Sequence, residues 1–351
     1  MRHNTSTRAS LRRVKYSFLS IALALTAILG AQLVMAAEFV LVGSGSSVPV
    51  PLFRKWAEEY NKRSPAIQLQ YVPLGTSEGI KQISHGSGDF AAGEIALTAK
   101  DRTEGSLVEL PVVLIGIVPI YKLPGLTQEL RFSGDLLAEI YLGHVKTWNA
   151  PQIARLNPNV TLPNLPIAVI YRPSGKGTNY VFTDFLSKTS PRFREEIGVT
   201  PSPKWPVGSS AERSSDMAEK VKDTPGAIGY VELQYAVSEK LLYGLVQNPA
   251  GKFVKASSAT IAEACGSVEA PQWDKFSASL TNAPGANAFP ITSFSWIYVR
   301  SASANSGRKA ALADLLNWIF DSGQRVAAKE GYSELPPQLL AKVKAKANSL
   351  R

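Results

Sequence analysis

The stretch "FVLVGSGSSVPVPLFRKWAEEYNKRSPAIQLQYV", residues 39 to 72, decides the fold class. Phe39 to Val42 form a short apolar run of the kind that makes a buried strand, and a Gly/Ser loop follows. Phe53, Trp56, Ala57 and Tyr60 then recur at i, i+3, i+4 and i+7, which puts all four on one face of a helix. "IQLQYV" at 67 to 72 returns to strand alternation. Further along, a short helix is expected from Glu78 and a strand in "DFAAGEIA" at 89 to 96, so the opening reads βαβαβ. That order builds a mostly parallel sheet covered by helices.

The pattern recurs after a middle region, with a strand in "IAVIY" (167 to 171), a helix in "NYVFTDFL" (179 to 186) and a strand in "AIGYV" (227 to 231). A second α/β unit is therefore expected. The chain closes with a strand in "SWIYV" (295 to 299), a helix on whose face Leu312, Leu315, Leu316 and Ile319 line up, and a last helix from about Pro336. These stripes read as core packing rather than a cofactor box.

Residues 1 to 36 stand apart. Five basic side chains and no acidic ones precede and flank the apolar run "YSFLSIALALTAILGAQL", and Val34 and Ala36 occupy the small-residue positions of a cleavage site. This is the pattern of an export signal, with cleavage expected after Ala36 and the mature protein in the periplasm. Removing it leaves 315 of 351 residues and lowers the formal charge from +10 to +5. That modest excess shows no Lys/Arg block of a nucleic-acid patch. The single cysteine, Cys265, excludes an intramolecular disulfide, and two histidines with one cysteine in the mature chain show no metal-ligand spacing. No metal and no cofactor are expected.

Three segments share one design, in which a strand ends, a Gly/Ser/Thr loop follows and a helix begins: "VGSGSSVPVPLF" at 42 to 53, "PLGTSEGIKQI" at 73 to 83, and "RPSGKGTNYVF" at 172 to 182. Each brings free backbone N–H groups and hydroxyls to the positive end of a helix, which suits an anion. The nucleotide motifs are absent: "SGKGT" lacks the spacing of a P-loop, and "GSGSSV" has Val48 where a dinucleotide fingerprint needs its third glycine. "GTSEG" at 75 to 79 fits a G-x-S-x-G nucleophile elbow, which would make Ser77 a hydrolase nucleophile with Asp135 and His144 as its partners. That is the enzyme alternative; the reading preferred here involves no catalysis.

Several motifs together resemble the PstS family of periplasmic phosphate-binding proteins of phosphate ABC transporters. They are "GSGSSVPVPLFRKWAEEY" (43 to 60), "GTSEGIKQI" (75 to 83), "IYLGHVKTWNAPQIARLNP" (140 to 158), "KWPVG" (204 to 208), "PGAIGYVE" (225 to 232) and "FPITSFSWI" (289 to 297). The resemblance covers essentially the whole mature chain. It implies a two-lobed α/β clamshell of type II-like topology, with mixed sheets flanked by helices and two crossover strands near "GIVPIY" and "ITSFSW". Lobe 1 would comprise 37–118 plus 293–351, and lobe 2 would comprise 119–292. It also implies inorganic phosphate as ligand, an ABC permease in the inner membrane as partner, no nucleic acid, and a monomer.

Carried over position by position, the resemblance implies a phosphate site of Ser47, Val48, Thr76, Glu94, Arg172, Lys176, Gly177 and Thr178. Three positions depart from the family pattern. Glu94 stands where the family has the Asp that accepts the phosphate proton, Lys176 replaces a Ser, and Ser174 replaces an Asp that holds the arginine. An acceptor carboxylate separates hydrogen phosphate from sulfate, because sulfate has no proton to donate. Glu94 and Lys176 are expected to face each other across the cleft, replacing the family's Asp, Ser and buttressed arginine; the bland alternative has Lys176 in solvent. The departures also allow a paralogue that acts as a sensor or scaffold, or that binds another oxyanion.

Overall fold

The strand that organises the molecule is "LVELPVVLIGIVPIY", an almost unbroken apolar run that is buried along nearly its whole length. In the computed structural model, which describes residues 39–268, 276–301 and 306–350, it forms a single 15-residue strand, β4 (Leu107–Tyr121). The export segment read at 1–36 lies outside the described residues. A strand buried on both faces has no polar face to alternate with, which explains its composition.

Ahead of β4 come β1 (Phe39–Gly45), β2 (Ile67–Pro73) and β3 (Phe90–Gly93). After it come β5 (Arg131–Phe132), β6 (Ala168–Tyr171), β7 (Ser209–Ser210), β8 (Ala227–Glu232), β9 (Leu242–Tyr243), β10 (Leu245–Gln247), β11 (Phe253–Val254) and β12 (Thr292–Arg300). The main sheet runs in the order β2-β1-β3-β12-β4-β8-β6-β7, with β9 also on β4, and β11-β10-β5 form a small separate sheet. β1 is parallel to β2 and β3, β6 is parallel to β7 and β8, and β12 is antiparallel to both β3 and β4. The fold is thus mixed α/β with flanking helices, as expected.

β4 changes partner along its length. Leu107 to Gly116 pair with β12, and Ile117 to Tyr121 pair with β8. The same strand therefore belongs to both halves, which is how the two lobes of this fold are joined. Where β4 changes partner, the returning chain lies alongside it, with the Ile117 N–H bonded to the Ile291 carbonyl at 2.8 Å. β12 has a register shift between Ser295 and Trp296, opposite Val113 and Pro111. Pro111 has no N–H to offer the ladder, and a bulge beside it removes the mismatch.

The expected helices form at Val50–Arg63, Thr76–Ser84, Gly177–Thr189, Ser306–Ile319 and Pro337–Asn348. In the first, Leu52, Phe53, Trp56 and Tyr60 are buried, and Phe53 stacks on Tyr71 of β2 at 4.4 Å. Phe39–Arg351 make one compact unit. Among the described residues no helix is long and apolar enough to cross a membrane.

Candidate functional site

Parallel strands deliver their carboxyl ends to one side of a sheet, and the loops that follow them make a crevice there. In this chain Ser46 and Ser47 follow β1, Thr76 follows β2, Glu94 follows β3 and Arg172 follows β6. All are buried. They surround a cavity of about 300 Å³ lined by Ser47, Thr76, Arg172, Lys176, Gly177 and Thr178, together with Ser46, Gly75, Glu212 and others. Six of the eight residues expected from sequence therefore line one pocket. Val48 and Glu94 do not line it: the Val48 N–H donates to Ser46 Oγ at 3.2 Å, and Glu94 lies behind Gly177.

Two of the expected helices begin at this cavity, at Thr76 and Gly177, and neither has a hydrogen bond from a capping side chain at its first turn. Ser or Thr caps are common because four N–H groups at a helix start lack internal partners. Here Gly75 and Lys176 occupy the cap positions. Gly75 adopts φ +96°, a conformation L side chains rarely take, so that loop requires glycine. Gly177 is needed for a different reason: a Cβ there would overlap Glu94 Oε2 and Thr76 Oγ1. That closeness places the Glu94 carboxyl directly behind the first residue of the Gly177–Thr189 helix.

Arg172 is the cationic centre, 2 % exposed. Its Nη1 donates to Ser214 Oγ at 3.1 Å, and its Nη2 donates to Ser47 Oγ at 3.1 Å and to the Glu212 carbonyl at 2.9 Å. These acceptors are neutral. Arg172 Nε and Thr178 Oγ1 are buried without a hydrogen-bond partner. Unpaired buried donors at a cavity wall are groups that a ligand oxygen would satisfy.

Glu94 is fully buried. Ser295 Oγ donates to its Oε1 at 3.1 Å and Thr76 Oγ1 to its Oε2 at 3.4 Å. Burial pushes its pKa up to about 8; the Ser46 and Ser295 hydroxyls and Arg172 pull the other way, while Glu232 adds repulsion. The carboxyl thus holds a proton at neutral pH.

The expectation that Glu94 and Lys176 face each other is corrected. Lys176 Nζ is paired with Glu212. Lys176 opens the third loop and Glu212 lies between β7 and the Ser214–Asp223 helix, both on the β6–β8 side of the sheet. The lysine passes Gly75 of the facing loop and pairs with the exposed Glu212 rather than with the buried Glu94. Its side chain is only 10 % exposed, so the alternative of a solvated lysine fails as well. Nor does Ser174 hold the arginine, since its hydroxyl donates to Ser202 Oγ at 2.6 Å.

The two sides of the cleft are tied directly. The Ser77 N–H donates to the Gly175 carbonyl at 3.1 Å, the Ser214 N–H to Ser47 Oγ at 3.3 Å, and the Tyr235 hydroxyl to the Ser47 carbonyl at 3.3 Å. The hydrolase arrangement is not assembled. Asp135 accepts from Ser190 and His144 pairs with Glu139, so neither serves Ser77. Among the described residues no group of three or more His, Cys, Asp or Glu could hold a metal ion.

Sequence reasoning missed Ser214, Ser295, Glu212 and Glu232. Ser214 and Ser295 come from a helix start and a strand interior without any loop signature. Glu232 ends the quoted motif "PGAIGYVE" yet carried no assigned role.

Comparison with known proteins bears on the same residues. A family model described as a PBP superfamily domain matches residues 11–322. The chain is 33 % identical over 304 residues to the phosphate-binding protein PstS of Xylella fastidiosa, covering 86 % of this chain and 83 % of that protein. It is 34 % identical to PstS of Haemophilus influenzae, covering 87 % and 91 %. Among solved structures, a high-affinity periplasmic phosphate-binding protein with bound phosphate superposes with a TM-score of 0.69 at 18 % identity, over 87 % of this chain and 93 % of that one. An ABC-type phosphate transport receptor from Vibrio cholerae gives a TM-score of 0.56 at 18 % identity, over 84 % and 100 %. At such identities the structures speak to the fold alone.

Proposed function

We propose that this chain, which belongs to the PstS family of phosphate-binding proteins within the PBP superfamily, captures inorganic phosphate for an ABC-type importer and carries out no bond chemistry of its own. The observation that carries this reading is the buried Arg172, held by neutral acceptors at the mouths of two helices that lack side-chain caps. A desolvated guanidinium with aligned amides and hydroxyls is a strong oxyanion grip. Ser47, Val48, Thr76, Arg172, Gly177 and Thr178 supply donors, Val48 and Gly177 through their backbones. Lys176 supplies its own N–H and a charge tempered by Glu212.

Selectivity falls to Glu94. Above about pH 8 its carboxylate accepts the proton of hydrogen phosphate and repels sulfate. Below that pH it carries its own proton and can donate to a sulfate oxygen, so discrimination weakens. The working cycle is closure of two lobes on the anion, with the closed form read by an inner-membrane permease. In this reading the lobes are 37–118 with 293–351, and 119–292. The protein is exported after cleavage behind Ala36 and acts as a periplasmic monomer.

Calorimetric titration of the stripped protein with phosphate and then sulfate, at pH 7 and pH 9, tests the assignment. Phosphate should bind at both values, with sulfate competing measurably at pH 7 and far less at pH 9. Silence toward phosphate at both would overturn the transport reading and turn attention to phosphate esters or to a scaffold role.

A further inference from the structure

Glu232 has no place in the phosphate grip, yet it is among the most conspicuous polar groups in the molecule. It is the last residue of β8, fully buried, and both of its carboxylate oxygens lack a hydrogen-bond partner. It pairs in register with Ile117, the residue at which β4 passes from β12 to β8. A buried carboxylate without hydrogen bonds is expensive unless a charge lies near it. That charge is Arg172, whose attraction opposes the effect of burial on Glu232.

The surrounding charges can be followed group by group. Ser174 has left the guanidinium for Ser202, so no acid stands beside Arg172 in its own loop. Lys176 and Glu212 neutralise each other at the mouth, as do Arg213 and Asp216. Among the described residues, the buried charges left at the cavity are one cation, Arg172, and two acids, Glu94 and Glu232, which repel each other. Around Glu94 the remaining neighbours are hydroxyls, from Ser46, Thr76 and Ser295 and from the phenols of Tyr71 and Tyr298. Glu232 is likewise faced by the phenols of Tyr235 and Tyr332. Those phenols are all pushed upward by burial and stay neutral. With both acids ionised the interior carries one net negative charge before any ligand enters. A phosphate dianion would add two more.

We propose that Glu232 is the standing counter-charge of Arg172 and that phosphate entry, by taking over that guanidinium, makes Glu232 draw a proton from solvent, which relieves its repulsion of the Glu94 carboxylate that accepts the proton of hydrogen phosphate. The inference rests on the phosphate reading and adds to it a positioning residue that touches the ligand only through Arg172 and Glu94. An added negative charge near an acid raises that acid's proton affinity, so anion binding and protonation are linked.

Two measurements test it. Calorimetry with inorganic phosphate at pH 8.5, in Tris and in HEPES, reads protons exchanged from the difference in apparent enthalpy. The wild type should take up protons, and Glu232→Gln should lose at least about half of that uptake; a purely structural role would lower stability and leave the uptake unchanged. In the ligand-free protein, the infrared C=O band of a protonated glutamic acid, assigned by its loss in Glu94→Gln, should titrate at least about half a pH unit lower in Glu232→Gln. Phosphate binding with equal uptake in both proteins, or an unmoved infrared midpoint, overturns the inference and leaves the phosphate reading intact. A shifted infrared midpoint with no phosphate heat overturns the phosphate reading while the coupling of the two acids stands.

Discussion

Arg172 Nη2 donates to Ser47 Oγ at 3.1 Å, joining two loops 125 residues apart in sequence. One loop follows β1 and the other follows β6, so the bond crosses the cleft and places both groups on the same cavity.

Removing the guanidinium should remove the function. A hydrogen bond to a charged group contributes about 1.5–3 kcal/mol, and Arg172 offers several. Arg172→Met is expected to weaken phosphate binding by more than about a hundredfold, and Ser47→Ala by about tenfold, as read by calorimetry. Because Arg172 is buried and bonds to Ser47, Ser214 and the Glu212 carbonyl, Arg172→Met should also lower thermal stability, and Ser47→Ala should lower it by about 1–3 kcal/mol, since it takes the acceptor away from Arg172 Nη2 and from the Ser214 N–H.

Stability of the ligand-free protein should fall as pH rises toward 8 on account of Glu94. The group's ordinary value is near 4.5 and its folded value is about 8, so between those limits the folded state binds the proton and the unfolded state does not. Its contribution is fully present below about pH 4.5 and is lost as pH rises through about 8, at up to about 1.4 kcal/mol per pH unit across that window. Urea unfolding from pH 5 to 9 should show this slope in the wild type, and Glu94→Gln should flatten it. An unchanged slope in the variant would assign it to other groups.

Lys176→Ser should be mild. Its ammonium is already paired with Glu212, whose side chain is 65 % exposed, and pairs of this kind contribute about 0–1 kcal/mol. Phosphate affinity should drop by less than about fivefold, with a shallower salt dependence. A loss of a hundredfold or more would mean that the lysine turns inward when the anion binds.

Gly177→Ala should abolish tight binding while the protein stays folded. The added methyl would overlap Glu94 Oε2 and Thr76 Oγ1, and inserting such a group into a packed site costs about 1–3 kcal/mol. Far-ultraviolet circular dichroism should be unchanged, with a lower melting temperature and no phosphate heat. Wild-type affinity in this variant would show that the Glu94 carboxyl can move aside at little cost.

Much of this was legible in the chain itself, because the information is local. The 3.6-residue spacing of Phe53, Trp56 and Tyr60, the apolar runs at β1 and β6, and the Gly-rich strand-to-helix loops each depend on neighbours in sequence. The loops contain whole motifs, so Ser47, Thr76, Arg172, Gly177 and Thr178 could be placed by resemblance and do line one cavity.

What only the tertiary structure decided is the pairing of charges. Whether Lys176 meets Glu94 or Glu212, and which acid faces Arg172 once position 174 is a serine, depends on distances between residues tens to hundreds of positions apart. The protonation of Glu94 depends on how completely the fold removes water from it and on the Glu232 charge that β8 brings near. Coulomb attraction and desolvation are set by spatial separation and burial, and neither is written in the spacing of letters along the chain.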